Sequence, residues 1–152
     1  MVVAMRALGV DVGERRLGLA LSDPDGVTAY PLRTLRRQGW RRDLQALREL
    51  VQRHGVQLVV VGLPLRMDGT VGPAADFSRR FAERLRASLG VRVVLWDERL
   101  TTVQAERIVR ALGLPPSRHR EALDRVAAAL ILQSYLDHLR AKQQNPSGTQ
   151  IP

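Results

Sequence analysis

The sequence predicts an α/β fold on three observations: strand-like runs open the chain, helices and strands alternate after them, and three of the helical stretches stop at a glycine. Residues 6–12 (RALGVDV) and 17–22 (LGLALS) are apolar runs joined by the glycine-bounded turn GERRLG, and 29–35 forms a third strand, which gives an antiparallel meander. From about 41 to 54, Leu44, Leu47, Leu50, Val51 and His54 recur at helical spacing, and Gly55 supplies the stop. QLVVVG at 57–62 is rich in β-branched residues and closes on Gly62 and Pro64, the pattern of a strand buried on both faces. A helix over 73–89 places Ala74, Phe77, Phe81, Leu85 and Leu89 on one face and ends at Gly90. The strand VRVVLW follows at 91–96. Thr101 with Gln104 has the spacing of a capping box, so a helix covers 102–112, ended by Gly113 and Pro115. The last helix runs from 119 to 141 with Leu123, Ala127, Leu130, Ile131 and Tyr135 inward. Residues 1–140 read as one domain and 141–152 as a disordered tail, with no repeat or linker between.

Composition narrows the chemistry. A chain of 152 residues supports its own core. With no cysteine it has no disulfide framework, thiolate nucleophile or zinc finger. The opening MVVAM meets Arg6 at once, too short an apolar run for a signal peptide, and no stretch reaches the roughly 18 apolar residues of a membrane span. The expectation is a soluble, cytoplasmic protein with no membrane partner. Against 15 acidic residues stand 24 basic ones, a formal net charge of +9 that points to a polyanionic partner, nucleic acid before membrane. All but Lys142 of those cations are arginine, whose fork pairs bidentately with phosphate. A codon bias explains arginine over lysine equally well, but not the net charge.

Four acids stand where strands end or the last helix begins: Asp11, Asp97, Glu98 and Asp124. Strand ends in an α/β sheet meet along one edge, and carboxylates gathered there repel unless a cation or a proton lies between them. Asp11 sits in GVDVG on a strand that otherwise reads as buried, where an unpaired charge is costly; the alternative is a carboxylate accepting N–H bonds from the following turn. Strand alternation lets only one of Asp97 and Glu98 face the same side as Asp11, leaving the other to fix Arg99 or the Thr101 cap. Asp124 shares a helix face with Ala127, Ala128 and Ile131, the face expected against the sheet, although an acid near a helix start also suits the helix dipole.

In order, GVDVGERRLGLALSD, VVGLPLRMDGT, DERLTTVQAER and LDRVAAALILQSYLD resemble the consecutive blocks of the YqgF family, across residues 6–139. That family is described as pre-16S rRNA nucleases or Holliday junction resolvases with an RNase H-like fold. The resemblance implies a five-stranded mixed sheet, its first three strands antiparallel and flanked by helices. It also implies that Asp11, Glu98 and Asp124 are the catalytic, metal-binding acids, and so favours Glu98 over Asp97. Arg66 stands in GLPLRMDGT where the family usually has asparagine.

The implied mechanism uses two Mg²⁺ or Mn²⁺ ions about 3.5 to 4 Å apart, activating water for in-line attack on a phosphodiester. Arg15, Arg16, Arg66 and Arg99 lie in loops expected beside the acids and are candidates to grip nucleic acid. The favoured substrate is an rRNA precursor, in 5′-end processing of pre-16S rRNA with the small ribosomal subunit as a further partner. A resolvase of four-way DNA junctions is the alternative and would need a symmetric dimer, which the sequence does not display. A non-catalytic nucleic-acid-binding module and an actin-like ATPase are readings from other classes. Trp40 and Trp96 are too few and too separated to suggest a stacking platform, and Trp96 reads as core.

Overall fold

In this computed structural model, which describes residues 5–99 and 101–144, the apolar runs become five strands and the periodic stretches four helices. In chain order they are β1 (Ala7–Val12), β2 (Arg16–Ser22), β3 (Ala29–Arg36), α1 (Trp40–His54), β4 (Leu58–Leu63), α2 (Pro73–Leu89), β5 (Arg92–Asp97), α3 (Thr101–Leu112) and α4 (Pro116–Gln144). The strands form one sheet in the order β3-β2-β1-β4-β5. β1 pairs antiparallel with β2, and β2 with β3; β1 with β4 and β4 with β5 are parallel. This is the mixed sheet that the family resemblance implies. The ends of the parallel strands β1, β4 and β5 therefore share one edge of the sheet, with the β1–β2 turn beside them.

Alternation along each strand sends its side chains to two different layers. Leu8, Val10, Leu17, Leu19, Leu21, Val59, Val61 and Val93 form one core with Leu44, Leu47, Leu50 and Val51 of α1 and Phe81, Ala82 and Leu85 of α2. On the other face Ala7, Ala20, Leu58 and Val60 meet Ala128, Ile131, Leu132, Tyr135 and Leu136 of α4. The helix α3 has no strand beneath it and leans on α4 through Ala105, Val109, Ala122, Val126 and Ala127.

Four details depart from the sequence reading. The buried side of α2 is Ala75, Ser78, Phe81, Ala82 and Leu85, so Ala74 is exposed and Phe77 half-buried. Packing on β4 and β5 below and on α1 beside it turns the helix further than its large apolar residues alone suggest. Thr101 lies inside the first turn of α3 rather than capping it. Ala127 faces α3, while Ala128 and Ile131 carry the sheet contact. Residues 141–144, expected in the tail, continue α4, and 145–152 lie outside the described residues.

Candidate active site

Three close approaches assemble the acidic edge. Asp11, one residue from the end of β1, pairs with Gly18 of β2, so both point to the α4 face. A Cβ built on Gly18 would overlap the carbonyl of Asp124 and lie 3.0 Å from its Cα. Only a residue without a side chain lets the α4 backbone rest on β2 at this level, and that contact brings Asp124 to the register of Asp11. On β4, Gly62 pairs with Trp96 of β5, and Glu98 follows Trp96 by two residues on the same side. A Cβ at Gly62 would stand 2.6 Å from Oε2 of Glu98 and 2.7 Å from Cδ1 of Ile131. The backbone N–H of Glu98 donates to the Leu63 carbonyl at 3.2 Å, which extends the β4–β5 pairing past the strand and holds Glu98 in line.

The choice between Asp97 and Glu98 is thereby made by the pleat. Glu98 reaches Asp11, and the two carboxyl groups are hydrogen-bonded. Asp97 faces away and accepts from the backbone N–H and the Nε of Arg99, both at 2.9 Å.

Burial and mutual repulsion govern this pair. Burial is the largest influence on Asp11 and, with the charge of Asp124, raises its carboxyl to about 6, against the opposing effect of the hydrogen bond from Glu98. Glu98 is raised to about 9, first by burial and then by the negative charge of Asp11 and the hydrogen bond to it. Both carboxyls are therefore harder to ionise together than two separate acids would be.

Asp124 is near enough to act on Asp11 but turns to Arg16, whose Nε donates to its Oδ2 at 2.6 Å. Of the three acids expected to gather at one point, the structure brings Asp11 and Glu98 together and leaves Asp124 bonded to Arg16. Among the described residues no group of three or more His, Asp or Glu side chains is arranged to hold a metal ion. Asp124 is neutralised by the Arg16 guanidinium instead. The donors that do meet are hard carboxylate oxygens, the kind that Mg²⁺ and Mn²⁺ take.

Asp11 and Glu98 line a cleft of about 430 Å³ together with Val12, Pro64, Leu65, Ala74, Arg99, Thr102 and Val103. Arg99 stands at its margin, held by Asp97 and by a bond from NH1 to the Met67 carbonyl at 3.2 Å. Arg15 and Arg16 line a neighbouring depression of about 340 Å³ with Glu14, Arg36 and Arg37. Arg66, expected near the acids, is exposed outside the cleft, its guanidinium against Gly72, where a Cβ would be 3.0 Å from Nε. The hairpin within its loop, closed by Arg66 N–H to the Thr70 carbonyl, directs it toward the start of α2.

The sequence reading passed over Arg37 and Asp43. Asp43 is buried and accepts from Arg37 Nε at 2.7 Å and from the Gln38 N–H at 3.0 Å. Arg37 also donates from NH1 to the Gly13 carbonyl at 2.9 Å, and its backbone N–H to the Arg15 carbonyl at 2.8 Å. Its guanidinium lies 5.3 Å from the ring centres of both Phe77 and Phe81. One side chain thus fixes the turn that follows Asp11 against α1 and α2. A signal existed: Asp43, Leu47 and Leu50 share the i, i+4, i+7 face, the argument applied to Asp124.

Comparison with known proteins gives the same frame. The family described as "RuvX: Holliday junction resolvase" matches residues 5–138. A protein of Syntrophus aciditrophicus named "Putative pre-16S rRNA nuclease" is 48% identical over 143 residues, covering 94% of this chain and 95% of that protein. One of the same name from Moorella thermoacetica is 51% identical over 135 residues, covering 89% and 96%. Among solved structures, the fold resembles T. thermophilus RuvC in complex with a Holliday junction substrate, with a TM-score of 0.55 at 19% identity, covering 89% of this chain and 96% of that one. The fowlpox virus Holliday junction resolvase gives a TM-score of 0.53 at 16% identity, covering 89% and 99%. An RNase H-like sheet with its acidic edge, matched over nearly the whole length, makes this chain a member of the RuvX family.

Proposed function

We propose that this chain is a metal-dependent nuclease that hydrolyses phosphodiester bonds at the 5′ end of pre-16S rRNA, acting in the cytoplasm. The observation that carries this reading is the Asp11–Glu98 pair, two half-buried carboxyls brought together in the lining of a cleft in a strongly basic protein. The names of the relatives supply the substrate. Among the described residues no helix is long and apolar enough to cross a membrane.

Asp11 and Glu98 would hold Mg²⁺ or Mn²⁺, with Asp124 as the third acid. Bound ions would polarise a water and neutralise charge developing on the phosphodiester. A bound cation would favour the ionised form of Asp11 and Glu98, so loading would release any proton that either carboxyl holds. Arg16 exchanges its partner, leaving Asp124 for a substrate phosphate, which charge-assisted bidentate pairing favours. Arg15 and Arg99 border the path and bind phosphate on either side of the acids. Arg37 and Asp43 hold the turn that sets the direction of Asp11.

The family description favours one second reading, cleavage of branched DNA. Both are tested by incubating the protein with a small-subunit rRNA precursor and with a synthetic four-way junction in Mg²⁺ or Mn²⁺, and mapping the cuts. We expect cuts at the 5′ precursor end, none after chelation, and none with Asp11→Asn, which keeps the fold and the hydrogen-bonding shape. Turnover unchanged in Asp11→Asn would remove that residue from the mechanism, and symmetric cuts in the junction alone would replace RNA by DNA.

A further inference from the structure

Trp40, the first residue of α1, is 45% exposed and stands in a groove of about 240 Å³ lined by Arg37, Phe77, Arg80, Phe81 and Arg84. The Arg84 guanidinium lies 4.4 Å from the centre of its indole and that of Arg41 5.3 Å. Arg37 is engaged by Asp43 and Arg80 loosely by Asp76 at 3.4 Å, while Arg41 and Arg84 have no carboxylate partner among the described residues. An exposed indole beside unpaired guanidiniums complements a base and its phosphate: the ring's exposed surface offers stacking that every base can use, and arginine binds the backbone.

The groove joins the candidate active site on two sides. Arg37 lines both the groove and the depression that holds Arg15 and Arg16, and it bonds to Gly13, two residues after Asp11. On α2, Phe77 in the groove is three residues from Ala74 in the cleft, about 4.5 Å along the helix at 1.5 Å per residue.

We propose that this groove binds the single-stranded flank of the nucleic acid cut in the cleft, with one base stacked on Trp40 and phosphates on Arg41, Arg80 and Arg84. This rests on the nuclease reading, because the flank is continuous with the strand that the acids address. A double helix does not fit it, since paired bases cannot leave their stack to reach the indole.

The test uses the full chain carrying Trp96→Phe, so that Trp40 is the sole indole, titrated with oligo(U) and with an RNA duplex of equal length. The single strand should quench Trp40 fluorescence and the duplex should not. Trp40→Ala should weaken single-strand binding about tenfold, within the range for loss of one stacked base, and Trp40→Phe should restore most of it. Arg84→Ala should lower the salt dependence of binding by about one phosphate contact. Absence of quenching, with Trp40→Ala binding as tightly as the parent while the parent still cleaves rRNA precursor, would overturn the groove and leave the nuclease reading standing. Quenching and affinity loss in a protein that cleaves nothing would keep the groove and remove that reading.

Discussion

Under α1 and α2 the sheet presents Leu8, Val10, Leu17, Leu19, Val59 and Val61, whereas under α4 its bulk is confined to Leu58 and Val60 at the start of β4 and the rest is Ala7, Gly9, Gly18, Ala20 and Gly62. The first layer is thick. Its side chains fill the space between helix and strand, and each buried Leu or Val contributes roughly 1.5 to 3 kcal/mol relative to exposure. The second layer is thin, with the α4 backbone at Asp124 on Gly18 and that at Ala128 on Gly9, where a Cβ would come within 2.8 Å of the Ala128 carbonyl. A carboxylate held by backbone-to-backbone contact inherits the precision of the sheet. One held across a layer of rotamers would inherit their freedom. The two faces therefore divide the work: the bulky one stabilises, the sparse one sets where Asp11, Glu98 and Asp124 stand.

The sharpest way to break this contrast is to add one methyl group to the thin face. In Gly18→Ala the new atom meets backbone, which has no flexible end to yield, so α4 must move off β2 and take Asp124 with it. We expect a loss of cleavage of about a hundredfold or more, the scale of an ångström misplacement in a catalytic site, together with a lowered melting temperature. Parent-like turnover in that variant would show that the close approach does not position the acid. The complementary change removes bulk from the thick face. Leu47→Ala empties part of a fully buried site and should cost about 2 to 5 kcal/mol in urea denaturation, with little change in turnover per folded molecule. A turnover that falls as far as in Gly18→Ala would mean that both faces set the acids.

The thick face was the more legible in sequence. Leu44, Leu47 and Leu50 announce a helix by spacing, and the β-branched run before Gly62 announces its strand, because burial of large side chains leaves a periodic record. The acids were legible through position: strand ends, the pleat that separates Asp97 from Glu98, and a carboxylate on an apolar helix face. What could not be read was which partner each charge takes. The Arg16–Asp124 bond spans 108 residues and Arg37 to Gly13 spans 24, so no local periodicity reports either. The direction of Arg66 is hidden for a related reason: its loop borders the cleft through Leu65 and Met67, but the turn from Arg66 to Thr70 sets where its side chain goes, and its neighbours in sequence do not reveal that. Trp40 was underestimated because a count of aromatic residues ignores the guanidiniums that surround one in space.

The smallest effect isolates the charge held on the thin face. Asp11 and Glu98 rise from ordinary values of 3.8 and 4.5 to about 6 and about 9 in the fold. Between those limits the folded protein binds more protons than the unfolded chain, so this pair's contribution to stability declines as pH rises from about 4 and levels off above about 9. Glu98→Gln keeps an N–H donor for Asp11 and removes the titration of Glu98. Its melting temperature should match the parent near pH 4 and exceed it by a few degrees at pH 8, a gap that excess Mg²⁺ narrows by stabilising the parent alone. Scanning calorimetry across that range checks it. A gap of constant size at every pH would mean that Glu98 ionises freely, and the upward shift of this carboxyl would have to be abandoned.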